Sequence, residues 1–169
     1  MTLSPFITIL GIGNLLLCDE GVGVRVIEKL LAEYEFPPNV NLVDGGATGL
    51  YLLPYIEEST HVIVVDAVDG PGEPGTLYRY SAEDFKRVIP KKMSIHDVGF
   101  VECLALAELD DALPKTVTII GVKPHDIKTY TMELSSLIKS RLEDLTAMAL
   151  DELKKLGVVP VQKAKVNIL

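Results

Sequence analysis

Three stretches of the chain are apolar at nearly every position: FITILGIG (6–13), HVIVVDAV (61–68) and TVTIIGVK (116–123). A run apolar at successive rather than alternate positions predicts a strand buried on both faces. HVIVVDAV is the most β-branched and is expected at the centre of a sheet. VNLVDGG (40–46) predicts a further strand stopped by glycine, and the alternating TLYRYSA (76–82) predicts a half-exposed edge strand. Between these runs the period becomes helical. Val22, Val26, Ile27, Leu30 and Leu31 form one stripe with Lys29 and Glu33 outside it, and Pro37–Pro38 closes the unit. Residues 49–58 predict a short helix containing Pro54, and Ser81 with Asp84 predicts a capped helix start. A helix over about 97–109 carries Val98, Val101, Leu104, Ala105 and Ala107. A long last helix is expected from Ser135 to Leu156, with Gly157 as its stop. The tail after Pro160 shows no pattern.

Strands alternating with helices predict an α/β fold: a mostly parallel, twisted sheet of about five strands, covered on both faces. No repeat, low-complexity segment or linker interrupts the 169 residues, so residues 1–169 are expected to form a single domain. Composition narrows the function classes. The net charge of −8 and pI of about 4.9 give a surface that repels phosphate backbones, so nucleic acid is not expected as a partner. No apolar run approaches the ~18 residues of a membrane helix, and no basic segment precedes an apolar one as in an export signal. Membrane insertion is therefore not expected. Two cysteines, Cys18 and Cys103, form no Cys-x-x-Cys pair and fit a reducing, cytoplasmic setting.

In parallel α/β sheets ligands bind beyond the carboxyl ends of the strands. That edge receives Gly13 to Glu20 after the first strand, Asp44-Gly45-Gly46 after the second, and Asp66 and Asp69 after HVIVVDAV. His96 and Asp97 come from the loop before the 97–109 helix. A dinucleotide site is the first thing GIGNLLLCDEGVGV (11–24) suggests, but the third glycine position of G-x-G-x-x-G is Leu16. Asp19 and Glu20 would repel a pyrophosphate there. No Lys-Ser/Thr phosphate loop, G-x-S-x-G elbow or H-E-x-x-H pair is present. Glu20, Asp66 and His96 remain as two carboxylates and an imidazole, a set suited to a borderline divalent ion such as zinc or nickel with open positions for water or substrate. Ordinary readings stand beside this one: Glu20 as a helix-start acid, Asp66 as a loop cap, His96 as a helix N-cap. For Asp66, the buried strand it ends requires partners for its carboxylate. His61 and His125 read as surface residues. The acidic neighbours of Cys18 raise its thiol pKa, which suits packing rather than nucleophilic attack.

The chain resembles the hydrogenase maturation endopeptidases, which process the large subunit of nickel-iron hydrogenases. The family's opening block G-x-G-N-x-L-x-x-D-[DE]-G-x-G-V is met at every fixed position by residues 11–24. DGGATGLYLL (44–53) follows its second block with Ala47 in place of Thr, leaving Thr48 beside it. VIVVDAVDGPGEPG (62–75), SIHDVGF (94–100) and IIGVKP (119–124) follow the later blocks in order. The resemblance implies an α/β/α sandwich, Glu20, Asp66 and His96 at the metal, and a role near it for Asp44. The acids Asp44, Glu20 and Asp66 are then the candidate catalytic groups, with Asp44 or a neighbouring carboxylate as general base, or the metal itself polarising the carbonyl or activating the water.

It further implies a substrate: a nickel-iron hydrogenase large-subunit precursor whose C-terminal extension is excised after nickel insertion. On this reading the nickel arrives with the substrate, and zinc or cadmium can substitute on the isolated protein. Two rivals use the same ligands. A non-enzymatic nickel-binding maturation chaperone would transfer metal without changing its partner's mass, and a peptidase with its own ion would retain metal and cut generic peptides. Leu15, Leu16 and Leu17 are candidates for exposed docking surface, with at least one of them in the core.

Overall fold

The computed structural model describes residues 5–47, 49–88 and 95–164, the side chains of 95–98 excepted. Its central sheet has five strands: β1 (Ile7–Ile12), β3 (Val40–Gly46), β4 (His61–Ala67), β5 (Leu77–Ser81) and β6 (Thr116–Val122). Their order is β3-β1-β4-β6-β5. The first four are parallel and β5 runs antiparallel to β6 at the edge. HVIVVDAV lies between β1 and β6, with Val64 paired to both Leu10 and Ile119.

The apolar runs are strands because both faces of the sheet are covered. Along β4, Ile63, Val65 and Ala67 enter one core while Val62 and Val64 enter the other. The first core is closed by α1 (Val22–Glu33) and α6 (Leu142–Lys155), and the second by α2 (Leu53–Glu57), α3 (Ala82–Val88) and α4 (Ile95–Leu109). Alternate residues of one strand thus feed two cores, which is the α/β/α sandwich. Each fully buried Ile or Val contributes about 1.5–3 kcal/mol relative to its exposed state.

Several boundaries differ from expectation. Leu31 is half exposed: the face of α1 that meets the sheet is Val22, Val26, Ile27 and Leu30, and Leu31 lies one residue, about 100°, beyond it. The buried face of α4 is Phe100, Cys103, Leu104 and Ala107, whereas Ala105 is exposed. The long last helix is two, α5 (Ser136–Lys139) and α6, separated at Ser140 and Arg141. There the Ser140 hydroxyl bonds back to the Leu137 carbonyl, and the Arg141 N–H takes the Ile138 carbonyl in a tightened turn. Gly157 ends α6 at φ +81°, as its position implied. The patternless tail forms β7 (Val161–Gln162), which pairs antiparallel with β2 (Tyr34–Glu35). Ser81 caps α3 as expected, accepting the Asp84 N–H at 3.1 Å. Among the described residues no helix is long and apolar enough to cross a membrane.

Candidate active site at the carboxyl edge of the sheet

Glu20 is placed by a tight excursion after β1. Gly13 adopts φ +137°, a conformation that favours glycine, and a Cβ there would fall 1.8 Å from the Glu20 carbonyl oxygen. Asn14 folds the loop by accepting the Leu16 N–H on its side-chain oxygen at 2.9 Å. The chain then makes a 3-10 turn, Cys18–Gly21, directly before α1, and this turn packs against β4. Glu20 is half-buried within it.

Asp66 is the sixth residue of β4, only 3% exposed, and its Oδ1 accepts the Ala67 N–H at 2.8 Å. Its Cα pairs with Gly121 on β6, and the residue before it, Val65, pairs with Gly11 on β1. The Glu20 turn and Asp66 therefore share the carboxyl end of the two central parallel strands. Asp44 is on the neighbouring strand, paired with Gly11; it is exposed and accepts the Gly46 N–H at 3.0 Å. His96 is the second residue of α4. Its side chain, like that of Asp97, lies outside the described residues, as does Thr48. At its fifth residue α4 packs closely on the segment after Asp44: a Cβ on Gly99 would stand 2.5 Å from the Cα of Gly49. Among the described residues no group of three His, Cys, Asp or Glu side chains gathers as a metal site. The donor set of Glu20 and Asp66 with an imidazole from the α4 start fits a borderline divalent ion in chemistry.

Asp69 does not join this group. Lys123 stands 3.4 Å from its carboxylate in an ion pair. His125 is exposed, as expected, but its backbone N–H has a part in the site. His61 is partly buried at the start of β4, where its Nδ1 lies 2.7 Å from the Thr116 hydroxyl and burial lowers its pKa.

The two adjacent acids of the opening motif have different tasks. Asp19 is wholly buried and caps no helix of its own. Its Oδ2 accepts the N–H of His125 at 2.9 Å, the N–H of Asp126 at 2.8 Å and the hydroxyl of Ser135 at 2.9 Å. Its Oδ1 accepts the Ser135 N–H at 2.8 Å. One carboxylate thus ties the segment after β6 to the turn that presents Glu20. Sequence reasoning missed this role, because the partners lie 106 to 116 positions away. Within that segment Asp126 accepts the Thr129 hydroxyl and the N–H groups of Thr129 and Lys128, which hold its carboxyl down to about 2. Cys18 is buried at φ +47°; burial above all, then Asp19 and Asp126, pushes its thiol up, which suits packing.

The arrangement is that of an α/β protein with acids at the carboxyl ends of its parallel strands and in the turn after β1. Residues 24–152 match the family model described as hydrogenase maturation protease (HycI). The matched span includes Asp44, Asp66 and His96, and Glu20 precedes it. The hydrogenase expression/formation protein HoxM of Azotobacter vinelandii is 41% identical over 157 residues, 92% of this chain and 76% of that protein. The hydrogenase 2 maturation protease of Escherichia coli K12 is 30% identical over 95% of this chain and 98% of its own length. Among solved structures, the hydrogenase maturating endopeptidase HybD from E. coli superposes with a TM-score of 0.88 at 31% identity, covering 93% of this chain and 97% of its own. The chain belongs to the hydrogenase maturation protease family, and its fold is the one those structures share.

Proposed function

We propose that this protease removes the C-terminal extension of a nickel-iron hydrogenase large-subunit precursor after nickel insertion, and that it recognises the nickel already bound in its substrate. Glu20, Asp66 and His96 complete the coordination of that ion, whose other ligands belong to the precursor. The reading is supported above all by the shared position of the Glu20 turn and Asp66 at the ends of β1 and β4, and by the packing of α4 at Gly99 against Gly49, downstream of Asp44. Three protein ligands leave positions for the substrate's own donors. Holding the ion fixes the scissile peptide relative to the protease, so part of the entropic cost of orienting the peptide is met by binding. A precursor without nickel lacks the shared ion and is rejected.

Asp44 is the general base of this proposal. Its carboxylate is exposed at the same edge, and the Gly46 N–H holds one of its oxygens. A base in that position takes the proton of the attacking water. Membership of a protease family weighs against the nickel-chaperone alternative, which requires no bond cleavage. Intact-mass measurement of the precursor with wild-type protein, His96→Ala and Asp66→Asn tests the assignment. Loss of a C-terminal peptide with wild type alone is the expected result. Full cleavage by both variants would contradict it.

A further inference from the structure

Leu16 is 58% exposed, Tyr130 85%, Met132 53% and Ile127 42%. Scattered surface hydrophobics carry no message, whereas contiguous ones mark interaction sites. Backbone pairing brings Tyr130 and Met132 to Leu16, and the bond from the Asp19 N–H to the Asp126 carbonyl holds the stretch before Ile127 to the same turn. Thr131 N–H donates to the Leu16 carbonyl at 3.1 Å, Cys18 N–H donates to the Thr131 carbonyl at 3.0 Å, and Leu17 and Thr131 form a parallel bridge. That register sets Leu16 beside Tyr130, with Leu15 and Leu17 half-buried on either side of Leu16.

The backbone beneath is held firmly. The buried Asp19 carboxylate anchors residues 125, 126 and 135, the Asp19 N–H also donates to the Asp126 carbonyl, and the Arg25 guanidinium donates to the Met132 carbonyl at 2.8 Å. Exposed apolar groups on a fixed frame lose little conformational freedom on binding. The location identifies what covers them. The loop at Leu16 runs directly into the Cys18–Gly21 turn that carries Glu20. A protease acts on a polypeptide, and the residues flanking its scissile bond must lie against the surface next to the site.

We propose that Leu16, Ile127, Tyr130 and Met132 form an apolar lip that seats the precursor polypeptide beside its cleavage point. The proposal rests on the reading of the substrate given above; the occupant is an apolar face of the large-subunit precursor. Tyr and Met suit such a seat, since both are enriched at the cores of protein interfaces.

The test uses the full chain and the purified, nickel-loaded precursor, with affinity measured by biolayer interferometry and cleavage by intact mass. The variants are Leu16→Ser/Tyr130→Ser and, as control, Leu109→Ser, a still more exposed leucine at the far end of α4. Thermal melts confirm that each variant is folded. The lip predicts at least a tenfold rise in Kd and in KM for the double variant, with kcat within twofold of wild type and the control unchanged. If wild type binds in a lip-dependent way but never cleaves, the lip stands and the endopeptidase reading falls. If cleavage proceeds and the double variant keeps wild-type Kd and KM, the lip is overturned and the endopeptidase reading stands. Absence of precursor binding by wild type overturns the lip as well.

Discussion

Gly13 lies so close to Glu20 that any side chain at 13 would collide with the Glu20 carbonyl. The contact is backbone on backbone, so no rotamer change relieves it. Gly13→Ala must either move the Glu20 turn or unfold it. The positive φ alone costs about 1–3 kcal/mol for a residue with a Cβ. A melting temperature lowered by several degrees, and processing reduced at least tenfold in the protein that remains folded, are the expected outcomes. An unchanged melt would show that the turn is not held in this geometry.

Asp19 is buried, and its carboxylate is an anchor for residues 125, 126 and 135. Asp19→Asn keeps the shape but turns an amide N–H₂ toward donors. Leaving such groups unsatisfied costs about 1–3 kcal/mol. The 124–135 segment should then become sensitive to limited proteolysis before the rest of the chain. Cleavage elsewhere first would mean that Asp19 is not the anchor of this segment.

Asp44 can be separated from structure more cleanly. Asn at 44 still accepts the Gly46 N–H, so stability should stay within about 0.5 kcal/mol of wild type. If Asp44 is the general base, processing falls by about 10²-fold or more. Wild-type turnover by Asp44→Asn would transfer that role to another carboxylate.

Acid sensitivity should trace partly to Glu152 on α6. The Arg79 guanidinium on β5 donates to both its oxygens, and Lys155 adds a further bond, so its carboxyl is held below the ordinary 4.5. A depressed folded pKa gives a contribution present above the ordinary value and lost as pH falls through the folded one. Arg79 is half exposed, so the pair is worth only about 1 kcal/mol at neutral pH. Glu152→Gln should therefore narrow the difference in melting temperature between pH 7 and about pH 4 relative to wild type. An equal loss in both proteins would assign the acid sensitivity elsewhere.

Much of this was legible in the sequence, for identifiable reasons. β4 could be read because a strand buried on both faces is apolar throughout, and Asp66 stood out as the acid ending it. β5 could be read as an edge because Leu77 to Ser81 alternate. The split of the last helix could not, since Ser140 and Arg141 fit a helical period and only the local hydrogen bonds break it. The β2–β7 pair, two residues on each side, is too short to carry a pattern. The Glu20 turn was marked by its glycines and motif, whereas the clamp at Asp19 joins two segments about a hundred residues apart and leaves no local signature. The lip is likewise a product of register: Leu16 lies within a leucine triplet, and nothing in the triplet says which member faces outward.

The isolated protein should bind cadmium or zinc through the proposed ligands. Titration calorimetry should give one site, weakened at least tenfold by Glu20→Gln and by His96→Ala. Unchanged affinity in both would remove these residues from the metal.

The most direct measurement compares nickel-loaded and nickel-free precursor from the same host, each incubated with this protein and read by intact mass. A C-terminal peptide should be lost from the nickel-loaded precursor alone. Equal cleavage of the nickel-free precursor would contradict recognition through the substrate's metal.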